Sequence, residues 1–217
     1  MTRAFLTASL ALWRRRLAYR RKRRAATQGT KRHSHYDALV LDALDHVKKR
    51  KAQLAKLAPT KIGPRGVDLI KEFEGWYSRP YDDGLGFMTI GWGFLAHDFP
   101  NGRLPSSMTR AAGDKMLKRI LDERYVPPVV KCAKHYGLEL SQNELDALAS
   151  FSFNLGTGAF DPSRTAGFET LHRALRSKNR QDIGQALLVY SNPGDANVHA
   201  GLLRRRRAER ALFLKKG

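Results

Sequence analysis

Apolar positions in the chain switch between three regimes. From Arg65 onward they recur at helical spacing. Val67, Ile70 and Phe73 share one face of GVDLIKEFEGW. Met116, Leu117, Ile120 and Leu121 do so in a helix predicted from near Ser107 to Asp122. Pro127-Pro128 start a further short helix, because proline is tolerated in a first turn. Ser141, with Glu144 three residues on, forms a capping box for SQNELDALASFSFNLG, and Gly156 stops that helix. Helices are also predicted over 161–177, over 181–190 and through LLRRRRAERALFL. Between the first two helices the period breaks. Glycines at 84, 86, 91 and 93 surround Phe87, Met88 and Ile90, the pattern of a small β-hairpin. The expected fold class is α+β, mainly helical, with a small hairpin lobe, a larger helical lobe and a cleft between them.

Upstream the pattern is different. Residues 36–57 read as a helix with a rough apolar stripe of Leu39, Leu41, Leu44, Val47, Leu54 and Leu57. That stripe would dock on the following domain or pair with another copy. APTKIGP breaks the helix and reads as a linker, which places a boundary at 62/63. Residues 1–35 contain no acid, and their basic runs repel one another, so in isolation they are expected to be disordered or weakly helical. On an anionic surface Phe5, Leu6, Leu10, Leu12 and Trp13 would insert. The apolar run Ala4 to Trp13 is too short for a membrane span of roughly 20 residues. Three arginines follow it rather than a small-residue cleavage site.

Charge sharpens this division. The 217 residues carry 40 Lys and Arg against 20 Asp and Glu, a net of +20. Residues 1–62 hold 17 of those cations and 3 of the acids, a net of +14. Such an extension implies a polyanionic partner: anionic membrane, acidic wall polymers or nucleic acid. The single cysteine, Cys132, excludes an intrachain disulfide and reads as a packed small residue. No metal-ligand, phosphate-loop or thiol-catalysis motif is present, so neither metal nor cofactor is expected.

Candidate chemistry concentrates in EGWYSRPYDDGLGFMTIGWG, residues 74–93. Glu74 ends a helix, and Asp83 and Thr89 follow on the hairpin with eight and five residues between them in turn. One carboxyl to protonate a leaving oxygen and a second group to manage water is the layout of glycoside hydrolysis. Asp82 reads as the turn residue beside Asp83. Trp76, Phe87 and Trp92 are candidates for the apolar walls around Glu74, and Trp92 and Asn154 for contacts with a sugar chain.

The order EFEG, YDD, TIGWG, ALASFSFNLG and GLLRRRRAERALF resembles the phage-type lysozymes, the endolysins of glycoside hydrolase family twenty-four. The resemblance covers about residues 63–217 and leaves residues 1–62 without a counterpart. It implies a lysozyme-like fold, with Glu74 as general acid and Asp83 and Thr89 holding the attacking water. It also implies cleavage of the β-1,4 bond between N-acetylmuramic acid and N-acetylglucosamine in bacterial peptidoglycan, with inversion. A monomer released from the host cytoplasm to the cell wall is the matching expectation, with virion association as another route. The alternatives are a phage structural or anionic-polymer-binding protein using a lysozyme-like docking domain, and a lytic transglycosylase. A transglycosylase needs no water-holding Asp–Thr pair. Phe94 departs from the family, which commonly has histidine directly after T-x-G-x-G. The loop HDFPNGRLPSS that follows is expected to replace that contact or reshape the groove. Arg204 to Arg207 are read partly as ion pairs, with Glu209 as a partner.

Overall fold

A computed structural model gives the fold, and it describes residues 3–28, 33–56, 58–84, 86–191 and 196–216. The chain divides into two compact units, Met1–Ala58 and Pro59–Gly217.

The first unit is a helical hairpin of α1 (Arg3–Ala26) and α2 (His33–Lys56). A 24-residue helix thus stands where the isolated sequence predicts disorder or weak helix. The reason lies in α2. Leu6, Leu10 and Leu17 of α1 are buried with Ala43 and Val47, and Val40 and Leu44 pack on the same cluster. The apolar face of α2 therefore runs through 40, 43, 44 and 47, and Leu41 of the expected stripe is exposed. Leu57 lies outside the described residues, as does the side chain of Leu54. Acids of α2 offset part of the repulsion: Asp42 pairs with Arg20 at 2.9 Å and Asp37 with Arg24. Trp13 stacks flat on His46, with ring centroids 3.8 Å apart.

The second unit is mainly helical with, among the described residues, one antiparallel pair of strands, as expected. Its elements are α3 (Pro64–Glu74), β1 (Tyr77–Asp82), β2 (Met88–Gly91), α4 (Arg110–Ile120), α5 (Val126–His135), α6 (Gln142–Leu155), α7 (Glu169–Ser177), α8 (Arg180–Leu188) and α9 (Ala196–Leu214). Ser141 and Glu144 form the predicted capping box, and Gly156 ends α6 with a positive φ. Two boundaries differ from expectation. Helix α4 is capped by Thr109, whose hydroxyl accepts from the Ala112 amide, rather than by Ser107. Only Glu169–Ser177 of the segment predicted from 161 is α-helical. Asp161 instead accepts from the amide and hydroxyl of Ser163, closing a local turn that competes with helix.

Helix α6 is the hub. Its Leu145, Leu148 and Phe151 are fully buried, among side chains from α3, β2, α4, α5 and α9. Asp146 of α6 accepts from the amides of Gly63 and Gly66, at 2.7 and 3.1 Å, and so satisfies the free N–H groups at the start of α3. Cys132 is fully buried, and burial pushes its thiol up to about 11, which fits a packing role.

His172 of α7 is also buried, between the Tyr136 hydroxyl at 3.0 Å and the Ala159 carbonyl at 3.1 Å. Burial holds its imidazole below the ordinary value. The folded chain then refuses a proton that the unfolded chain accepts below about pH 6.5. The stability His172 permits is complete above that pH and declines as pH falls toward the folded value. Urea midpoints across this window should therefore drop with acidification more steeply in wild type than in His172→Gln; equal slopes would contradict the assignment.

Candidate active site

Three elements meet at the site. Helix α3 delivers Glu74 at its last turn, and Gly75, with a φ of 70°, turns the chain into β1. Strands β1 and β2 pair Tyr77 with Gly91, Tyr81 with Thr89 and Asp82 with Met88. Their turn is tied by both acids: Asp82 accepts from the Gly84 amide at 2.8 Å, and Asp83 from the Phe87 amide at 3.1 Å. Asp82 thus has the turn role expected of it. Asp83 is half-buried and is itself anchored in the turn.

The third element was missed in the sequence reading of Glu74. Arg205 of α9 donates from Nη1 to Glu74 Oε1 at 2.6 Å, across 131 residues of chain. Arg205 is itself held by Glu209, which accepts its Nε at 3.2 Å. Glu209 also accepts from Arg206 at 2.6 Å and from the Ser150 hydroxyl at 2.8 Å. Both side chains of the Arg206–Glu209 pair are fully buried. Burial pushes the Glu209 carboxyl up and brings the Arg206 guanidinium down to about 10, so the arginine stays charged at neutral pH. Of Arg204 to Arg207, it is Arg205 and Arg206 that form the ion pairs foreseen with Glu209. They extend further, to Glu74 through Arg205 and to Asn154, whose side-chain oxygen accepts from Arg206.

The other face of Glu74 is set by the hairpin's exit. A Cβ built on Gly93 would lie 3.5 Å from Glu74 Oε2, and Gly93 has a φ of 85°. Gly91, with a φ of 71°, is more restricted, since a Cβ there would meet the Phe94 ring at 2.7 Å. The two glycines in TIGWG let the chain fold back tightly beside Glu74. Thr89 lies in this strand, 5% exposed, and its hydroxyl is buried with no hydrogen-bond partner among the described residues.

The aromatic residues are distributed differently from expectation. Trp92 is 1% exposed and donates its indole N–H to Asp114 at 2.9 Å, so it serves the core rather than offering a face to a sugar. Trp76 packs on it at a centroid distance of 5.1 Å. The exposed rings near the hairpin are Tyr77 and Phe87, at 46% and 58%. Phe87, with Met88, Leu95, His97 and Leu104, lines an open depression of about 510 Å³. Asn154 is half-buried and bound to Arg206, which places it in the arginine network.

Phe94 is buried and exchanges backbone hydrogen bonds with Ile90 at 2.8 and 3.0 Å. The following loop supplies its own polar tie. Asp98 accepts from the Leu95 amide at 2.9 Å and pairs with Arg124 at 2.6 Å.

Residues 71–209 match the family model described as Phage lysozyme. The endolysin of Salmonella phage P22 is 35% identical over 157 residues, which span 71% of this chain and 98% of the relative. The endolysin of Bacillus phage B103 is 32% identical over 155 residues; the chain spans about half of that relative's length, at 54%. Among solved structures, a P22 lysozyme mutant superposes with a TM-score of 0.55 at 32% identity, covering 71% of this chain and 99% of that one. The muramidase domain of SpmX from Asticaccaulis excentricus gives 0.56 at 30% identity, covering 72% and 99%.

Replacing Glu209 with glutamine leaves the fully buried Arg206 guanidinium without its counter-charge, while Arg205 keeps Glu74. Breaking such a pair costs about 3–5 kcal/mol. Chemical denaturation should show a loss of that order for Glu209→Gln and a much smaller one for Glu74→Gln, whose side chain is 22% exposed. Equal losses would mean that the network is not anchored at Glu209.

Proposed function

We propose that this chain, which belongs to the phage lysozyme family, is a peptidoglycan hydrolase of the muramidase class and that Glu74, Asp83 and Thr89 carry its reaction. Glu74 protonates the oxygen of the β-1,4 bond between N-acetylmuramic acid and N-acetylglucosamine as that bond breaks. Asp83 and Thr89 hold the water that attacks the anomeric carbon from the opposite face. Attack from that face inverts the anomeric configuration, which requires carboxyl groups about 6.5–9.5 Å apart with water between them. The biological outcome of this reading is lysis of a bacterial host.

The buried, unpartnered hydroxyl of Thr89 beside the hairpin's exit carries this reading. Leaving such a group unpaired costs about 1–3 kcal/mol, so its retention points to a polar ligand that uses it. A hydroxyl positions a water without competing for the proton. The Arg205 fork fixes Oε1 of Glu74 and leaves Oε2 toward Gly93 as the oxygen free to carry the proton. The fork makes Arg205 a positioning residue. The exposed faces of Tyr77 and Phe87 are better candidates than Trp92 for stacking on sugar rings.

Two variants separate catalysis from stability. Glu74→Gln should lower the rate of turbidity loss of purified cell walls by about 10²-fold or more. Equal lysis by variant and wild type would sink the assignment. Thr89→Val removes an unpaired hydroxyl at nearly constant volume. It should leave the denaturation midpoint unchanged or raise it, while wall hydrolysis falls by about tenfold or more. Full activity in Thr89→Val would remove Thr89 from the reaction.

A further inference from the structure

Helix α1 carries nine Lys and Arg and no acid over its 24 residues. Its buried side, Leu6, Leu10 and Leu17, is spent on α2. Leu6 and Leu10, expected from the sequence to insert into a surface, are therefore committed elsewhere. A second apolar row remains. Phe5, Leu12 and Tyr19 are 56%, 49% and 58% exposed. They recur every seven residues, which in an α-helix returns the side chain to within about 20° of the same direction. The row lies on a different face from the one packed on α2.

Cations flank this row on both sides. By helical phase, Arg16 and Arg23 border it on one side and Arg15 and Lys22 on the other. All four are exposed. Arg23 donates to the Tyr19 hydroxyl at 3.1 Å, and its guanidinium lies 5.6 Å from the ring centroid, which joins the cationic and aromatic parts of the face. Of the acids of α2, Asp42 and Asp37 pair with Arg20 and Arg24, which lie off this row, and Asp45 pairs with Lys49 of α2 itself.

We propose that this face of α1 docks on an anionic lipid bilayer, lying in the plane of the membrane. Phe5, Leu12 and Tyr19 reach below the headgroups, and Arg15, Arg16, Lys22 and Arg23 meet the lipid phosphates. A basic helix with an aromatic and leucine row has the composition of an interfacial helix. A duplex nucleic-acid backbone or an acidic wall polymer rewards the cations but leaves the Phe, Leu and Tyr row unused. Among the described residues, no helix is long and apolar enough to cross a membrane, so the helix lies on the surface rather than spanning it. This docking is independent of glycan cleavage, and its readout is binding.

Flotation of the full chain with phosphatidylglycerol-containing vesicles, beside phosphatidylcholine vesicles, tests the proposal. Three proteins are compared: wild type, Leu12→Gln with Tyr19→Gln, and Arg15→Gln with Lys22→Gln. The first pair of changes preserves net charge. Wild type should float with the anionic vesicles at least about tenfold more tightly than with the neutral ones. Both double variants should lose about tenfold or more, with helix content by circular dichroism and hydrolysis of solubilised wall unchanged. Full binding by Leu12→Gln with Tyr19→Gln would reduce the interaction to charge alone and overturn the proposal. So would displacement from the vesicles by duplex DNA that binds wild type and both variants equally.

Discussion

The hydrogen bond from Arg205 to Glu74 is the constraint on which the geometry of the candidate site depends. It joins the end of α3, where the hairpin begins, to α9 near the end of the chain. Neither partner is fixed by local structure alone. Arg205 is oriented because Glu209 takes its Nε, and Glu209 is fixed because Arg206 and Ser150 fill its remaining acceptor positions. A buried carboxylate between two arginines is a poor source of net stability, since desolvation offsets most of the attraction. What it gives is a single orientation: a fork aimed at one oxygen of Glu74, with the other oxygen turned to Gly93.

Much of this was legible in the sequence where the signal was local. The capping box at Ser141, the stop at Gly156, the proline start of α5 and the glycine-bounded hairpin need only neighbouring residues, and all are present. The spacing of Glu74, Asp83 and Thr89 was likewise visible as a pattern. Contacts across the chain were not. The i, i+4 relation of Arg205 and Glu209 is readable, but nothing in sequence spacing says that the same arginine reaches Glu74. Trp92 failed for the complementary reason. An aromatic beside a candidate acid reads as a groove wall, yet its indole found Asp114 and the core.

The first unit shows the same limit in a different setting. Acid-free basic runs predict a repelled, disordered chain, and that prediction omits the partner helix. Once α2 supplies Ala43 and Val47 to cover the leucines and two aspartates to meet Arg20 and Arg24, helix α1 is sustained. The pairing also sorts its apolar residues. Those that close the hairpin are distinguished from those left outside with the remaining cations, a separation that hydropathy alone does not make.

The stereochemistry of cleavage tests the central claim most directly. Proton NMR of the reducing ends released from wall glycan, followed in the first minutes before mutarotation, reads the configuration at the attacked carbon. A water held by Asp83 and Thr89 opposite Glu74 predicts the α-anomer as the first product. First appearance of the β-anomer would show retention. It would make the second carboxylate a nucleophile and contradict the role given to the Asp83–Thr89 pair.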